Sequence, residues 1–145
     1  MKIEIRPEAY DPWIEVSEYQ KNGGLQPGSF GACATFVGTM RDFNQGDDVT
    51  EMVLEHYEGM TEHQLKELAA ECQEKHGLLD VLILHRVGRI QPNDPIVLVV
   101  AWSAHRAAAF DACREMMEML KSRATFWKKE TLVEGERWVD RNTPG

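Results

Sequence analysis

The sequence predicts an α+β fold, a single domain of mainly antiparallel strands with packed helices. Three observations predict it. Leu79 to Val87 and Ile96 to Trp102 are nearly continuous apolar runs, short enough to be central strands buried on both faces. The turn Pro92-Asn93-Asp94-Pro95 lies between them, so the two strands are expected to form a hairpin. Two other stretches, opening at Thr61 and after Ser103, place apolar residues at helical spacing. No internal repeat, low-complexity tract or linker divides residues 1–145, a length suited to one domain with a substantial core.

Taken in order, Lys2 to Ile5 alternates charged and apolar residues and reads as a short strand. Asp11-Pro12 sets an N-cap before a proline at the first helical position, and Gly23 suits the far end of that helix. Ile14, Val16 and Tyr19 give only a weak apolar pattern between them. Gly23-Gly24 and Pro27-Gly28 mark a loop. Gly31 to Val37 is apolar and partly β-branched, which favours a strand. It leads into a polar, glycine-flanked loop, Gly38 to Asp48, long enough to be functional or mobile. Glu51 to Glu58 reads as another strand. Thr61 and Gln64 have capping-box spacing, and the helix they open puts Leu65, Leu68, Ala69 and Cys72 on one face before Gly77. His85 and Arg86 fall near a strand end, where structural roles are expected. Ser103 is expected to cap a helix from about Ala104 to Arg123, with Phe110, Cys113, Met117 and Leu120 as its buried stripe. Glu130 to Val139 reads as a hairpin turning near Glu134-Gly135, followed by a loose tail.

Composition narrows the function. The formal charge is -8, whereas a nucleic-acid footprint would be basic. No apolar run approaches the roughly 20 residues that span a bilayer. The N-terminus alternates in charge and lacks the apolar core of a signal peptide, so a cytoplasmic location is expected. Cys33, Cys72 and Cys113 are odd in number and far apart, which argues against a disulfide framework and a structural zinc site. Cys72 and Cys113 fall on core stripes and Cys33 in a strand, and none has a motif that activates a thiol. The five histidines show no ligand spacing. No metal or other cofactor is expected.

Against this acidic background, residues 121–129 carry four cations: Lys121, Arg123, Lys128 and Lys129. They follow a helix and lead into a strand. Helix ends favour cations, so one reading is a solvated helix terminus. The other is a cationic pocket walled by Phe126 and Trp127, in which neighbouring lysines screened from water would have lowered pKa values and act as acid, base or oxyanion holder. Ser103-Ala104-His105-Arg106 forms a second constellation. It reads either as a capped helix with an exposed arginine or as a phosphate grip at a helix N-terminus. Arg41, the only cation of the Gly38 loop, reads from its neighbours as a surface residue paired with Asp42 or Asp47. His105 and Lys121 are sixteen residues apart on one helix, or roughly 24 Å. They serve one small ligand only if a second copy supplies one of them, as a symmetric dimer would.

These motifs together resemble the large, catalytic subunit of molybdopterin synthase, the MoaE family. The matching pieces are Thr35-Phe36-Val37-Gly38 with Arg41, Leu54-Glu55-His56-Tyr57-Glu58-Gly59-Met60, and His85-Arg86-Val87-Gly88. Ser103-Ala104-His105-Arg106 and Leu120 through Glu130 complete the set, in the family's order from about residue 30 to 140. The resemblance implies an α/β hammerhead-like fold and a homodimer. It also implies a small ubiquitin-like partner at each end, making a heterotetramer. The partner's C-terminal Gly-Gly thiocarboxylate would deliver sulfur to cyclic pyranopterin monophosphate, twice, to build the dithiolene of molybdopterin. Lys121 and Lys128 would be catalytic. Thr39, Met40, Arg41, His105, Arg106, Lys129 and Glu130 would join them in holding the substrate, with the histidine-arginine pair from the second subunit. Thr39 and Asp42 depart from the pattern of many relatives and bear on the finer contacts of that loop, while Arg41 is retained. Two other readings fit parts of the sequence: a non-catalytic dimeric adaptor for a ubiquitin-like tail, and a lysine enzyme forming a covalent carbonyl adduct.

Overall fold

The computed structural model describes residues 1–139 apart from 45 and 134. Its elements run β1 (Lys2–Arg6), α1 (Pro12–Asn22), β2 (Ala32–Thr39), β3 (Phe43–Asn44), β4 (Asp47–His56) and α2 (Met60–His76). They continue with β5 (Asp80–Arg86), β6 (Gly88–Ile90), β7 (Pro95–Ser103), α3 (Arg106–Arg123), β8 (Phe126–Leu132) and β9 (Gly135–Trp138). This is an α+β architecture of two sheets. One has the order β1-β5-β7-β2, antiparallel except for β1 beside β5. The other is built on β4, which pairs antiparallel with β8, β3 and β6, while β9 extends β8.

The two apolar runs are indeed the centre. All seven residues of β5 are buried, and α2 and α3 cover one face of the sheet while α1 covers the other. Both faces are dry, so alternation is absent from these strands. Their connection is longer than a plain hairpin, because β6 leaves the first sheet to pair with Met52–Leu54 of β4. Gly88 makes that exit with φ of 86°, a conformation that costs glycine little.

Several local expectations are corrected. The Gly38 to Asp48 loop is largely ordered: β2 continues to Thr39, and β3 folds back on Asp47–Asp48. The expected Glu51 to Glu58 strand begins four residues earlier and ends at His56. The capping interaction of α2 is made by Glu62, whose carboxylate accepts from Gly59 N–H at 2.6 Å. Thr61 and Gln64 lie inside the helix and bind the chain around Thr125 instead. Ser103 is a buried strand residue whose hydroxyl accepts from His105 N–H, and α3 starts after His105 without a side-chain cap.

The buried stripe of α3 is Ala109, Ala112, Cys113, Met116 and Leu120. Phe110 is 67% exposed, and Met117 is only partly buried. Small residues at 109 and 112 bring the helix close to the sheet, which turns Phe110 outward. The β8–β9 hairpin closes with Leu132 opposite Gly135. Glu134 of its turn and the expected loose tail, 140–145, lie outside the described residues.

Candidate active site

A cavity of about 570 Å³ opens where the two sheets meet, a volume that suits a small ligand. Met52 and Leu54 of β4, Leu120 of α3 and Phe126 of β8 give it apolar walls. The charged side chains that line it are Arg41, Lys121, Lys128 and Glu130. These come from the end of β2, the last turn of α3 and alternate positions of β8.

The junction between α3 and β8 sets the two lysines. Ala124 has extended backbone and its N–H still bonds Leu120, so the helix stops and a strand begins within two residues. Thr61 Oγ1 donates to the Thr125 carbonyl at 2.9 Å. The Thr125 amide and hydroxyl both donate to Gln64 Oε1 at 2.9 Å. With the turn pinned, strand alternation dictates that Phe126, Lys128 and Glu130 face one side and Trp127 and Lys129 the other.

Trp127 is therefore not a wall of the cavity; it is 46% exposed. Lys129 also lies outside the lining, ion-paired to Glu136 at 2.8 Å and 5.7 Å from the Trp138 ring centre. The residue that Phe126 does meet is His85, stacked at 3.9 Å between ring centres.

Lys121 is largely buried, and its pKa is lowered from 10.5 to about 8. Burial is the main cause, followed by the charge of Lys128 and a hydrogen bond with it. At neutral pH such an amine is mainly a cation, suited to holding developing negative charge; above pH 8 it increasingly accepts a proton. His85 is fully buried and its pKa is lowered to about 3, first by burial, then by the two lysines and His56. A neutral imidazole has one N–H. With Nδ1 2.9 Å from the Arg86 carbonyl, that proton belongs on Nδ1, leaving Nε2 as an acceptor. The expected structural role of His85 therefore extends to lining the cavity.

Arg41 stands on a fixed stretch of chain. The Met40 amide donates to the Asp94 carbonyl at 3.0 Å and the Met40 carbonyl accepts from Asn93 at 2.9 Å. On its other side, Asp42 O accepts from Val49 N–H at 2.8 Å. Asp47, one expected partner of Arg41, pairs with Arg137 instead. Thr39 and Met40 also line the cavity, Thr39 at an exposed position and Met40 in the core of the second sheet.

His105 and Arg106 are exposed at the opposite end of α3 and do not line this cavity. Two groups were not connected with the cavity in the sequence reading. His85 falls on the α3-facing side of β5 with Val81 and Ile83, which alternation alone would have indicated. Arg137 pairs across the β8–β9 hairpin with Glu130, a register that follows once Leu132 is set opposite Gly135.

The cysteines take no part. Burial raises the thiol pKa of all three, to about 11 for Cys72 and Cys113. Among the described residues, no helix is long and apolar enough to cross a membrane.

Residues 11–123 match the family described as MoaE protein. The chain is 50% identical over 141 residues to the molybdopterin synthase catalytic subunit of Pseudomonas aeruginosa, spanning 97% of this chain and 91% of the relative. It superposes on the crystal structure of molybdopterin synthase from Staphylococcus aureus with a TM-score of 0.84 and 28% identity, covering 95% and 96% of the two chains. It also superposes on the complex of subunits 1 and 2 of the molybdopterin-converting factor from Helicobacter pylori, with a TM-score of 0.79, covering 97% and 92%. At 19% identity, that last likeness bears on the fold alone.

Proposed function

This chain belongs to the MoaE family, and from that membership we infer that the Lys121 cavity is where a pterin precursor receives sulfur. Its activity is molybdopterin synthesis, as the catalytic subunit of that synthase. The observation that carries the site assignment is the pair of adjacent amines, one with a lowered pKa, in a cavity of ligand size within an acidic protein.

The chemistry explains the charge. The substrate, cyclic pyranopterin monophosphate, carries a phosphate, and the donor is a thiocarboxylate at the Gly-Gly end of a small ubiquitin-like subunit. Both reactants are anions, so a local cationic site offsets their repulsion. The thiocarboxylate sulfur bonds to a pterin carbon, giving a thioester to the carrier. Water then adds to the acyl carbon, which places negative charge on the carbonyl oxygen before the C–S bond breaks and the carrier leaves as a carboxylate. The Lys121 ammonium holds that oxyanion, and Lys128 sustains it by charge or proton transfer. Arg41 grips the phosphate end of the pterin, and Thr39 and Met40 form the cavity wall beside it. Sulfur arrives on the partner, so raised thiol pKa values in this chain are no obstacle. Glu130 lies at the substrate, and Lys129 flanks it from the outer face of β8.

The site is completed by a second copy. β2 is an edge strand of the first sheet, and Phe36 and Phe110 are exposed on β2 and on α3, which packs against it. Antiparallel pairing of two β2 edges about a twofold axis sets the Ala32 end of one copy beside the Thr39 end of the other. Ala32 pairs with Ser103, next to His105 and Arg106, while Thr39 borders the cavity. Eight strand residues span roughly 24 Å, as do His105 to Lys121 along the helix. The second copy's His105 and Arg106 thereby reach the cavity that their own helix denies them. With one small subunit per copy, the assembly is a heterotetramer.

Mixing Lys121→Ala with His105→Ala tests this arrangement. Each heterodimer has one intact site, so a random mixture recovers about a quarter of wild-type molybdopterin formation. A mixture no more active than either parent sinks the composite site. Carrier bound but no product from wild type makes the chain an adaptor.

A further inference from the structure

A cavity that receives two anions contains a carboxylate. Glu130 is 5% exposed, and its charge opposes the work of Arg41, Lys121 and Lys128 around it. The cation that offsets it, Arg137, lies outside the lining, while Asn44 is part of it. Arg137 Nε donates to Glu130 Oε1 at 3.0 Å, and the amide of Asn44 donates to Oε2 at 2.9 Å. The same guanidinium donates to Asp47 Oδ2 at 2.8 Å and to the Asn44 carbonyl at 2.7 Å. One side chain thus joins β9, β8 and the β3–β4 hairpin at both of its strands.

We propose that Arg137 is a positioning residue for the sulfur-transfer site: it neutralises and orients the Glu130 carboxylate and clamps the β3–β4 hairpin, so that the cavity stays cationic and Arg41 stays over it. The inference rests on the reading of the cavity given above. The fork of a guanidinium suits the task, because it contacts a carboxylate, a second carboxylate and a carbonyl at once, which an ammonium on a flexible stem does not. The hairpin link reaches Arg41 through the backbone, since β4 holds Asp42 by the Val49 amide. Removing Arg137 leaves a buried carboxylate with only Asn44 as its described partner, facing anionic reactants and the two amines.

The test compares wild type, Arg137→Gln, Arg137→Lys and the double variant Arg137→Gln/Glu130→Gln. Two readouts are taken on each full chain with its carrier subunit. In steady state, Arg137→Gln raises KM for the pterin substrate about tenfold or more and changes kcat less, because the loss falls on anion binding. Arg137→Lys is intermediate. The double variant also alters Glu130, which lies at the substrate, so it is read on the Lys121 labelling and not on KM.

The second readout needs no turnover. Trinitrobenzenesulfonate labelling of Lys121 at pH 8, followed by peptide mass spectrometry, slows about threefold to tenfold in Arg137→Gln, because the unpaired carboxylate keeps the amine protonated. The double variant returns to the wild-type rate. Unchanged labelling and KM in Arg137→Gln, or a double variant that labels more slowly than the single one, overturns the proposal. If Arg137→Gln does not fold, an Arg137→Lys variant with raised KM and slowed labelling, set against a double variant that labels at the wild-type rate, supports it, and an Arg137→Lys variant with wild-type KM and labelling overturns it. Wild type that makes no molybdopterin, with labelling still governed by Arg137, removes the functional reading and keeps the electrostatic one.

Discussion

Lys121→Met should make the protein more stable at neutral pH while stopping its chemistry. The amine sits at about 8 in the fold against an ordinary 10.5. At roughly 1.4 kcal/mol per tenfold, that corresponds to about 3 kcal/mol of disfavoured charge below pH 8. Methionine has a similar length and carries no charge to desolvate. Allowing for the polar contacts that the amine loses, the expected gain is about 2–3 kcal/mol at pH 7, or roughly 4–12 °C in Tm for a chain of this size.

The pH dependence separates this from better packing. Below pH 8 the amine is charged in both states and the full penalty is present. Between 8 and 10.5 the unfolded chain binds more protons than the folded one, so wild-type stability rises relative to the variant. Above 10.5 the difference shrinks to packing alone. Guanidinium denaturation of both proteins at pH 7, 8, 9 and 10 measures it. A variant less stable at pH 7, or a difference constant across the series, refutes the reasoning.

The two lysines on β8 should separate cleanly. Lys128→Ala removes the charge and hydrogen bond that lower the Lys121 pKa, so the alkaline limb of the pH–rate profile moves upward and the rate falls. Lys129→Ala removes an exposed pairing with Glu136 and changes the rate about twofold or less; equal effects from the two would contradict the strand alternation. His85 predicts an acid weakness. Its folded pKa of about 3 lies below the ordinary 6.5, so the unfolded chain binds the extra proton and stability falls as pH drops from 6.5 toward 3. His85→Gln should cost stability at pH 7 through lost stacking, and the difference from wild type should narrow by pH 4 in urea titrations. A gap that widens toward acid sinks the assignment of a neutral imidazole.

Much of this arrangement was legible in the sequence, for identifiable reasons. Elements with a single dominant signal were found: Asp11 does accept from the amides of Trp13 and Ile14, and Gly77 does end α2 in the left-handed region. Where two signals compete, the sequence misleads. Thr61 has both a cap's chemistry and a helix's spacing, and its hydroxyl serves a tertiary bond to Thr125 that no local pattern encodes. Phe110 is the most apolar residue of its turn, yet Ala109 and Ala112 face the sheet because close packing favours small side chains there. The cationic cluster was visible as residues 121–129, but which of its members share a cavity depends on where the helix stops. Once Thr125 is pinned, alternation selects Lys128 and Glu130 and rejects Trp127 and Lys129.

The most direct test is single-turnover sulfur transfer. The protein is mixed with its thiocarboxylated carrier and cyclic pyranopterin monophosphate, in wild-type and Lys121→Ala forms, and dithiolene formation is followed. The expected result is product from wild type and a rate lower by about 10²-fold or more in the variant, as befits loss of a charge aimed at the developing oxyanion. Product at similar rates from both would contradict the account, because the cavity would then do its chemistry without the amine on which it is built.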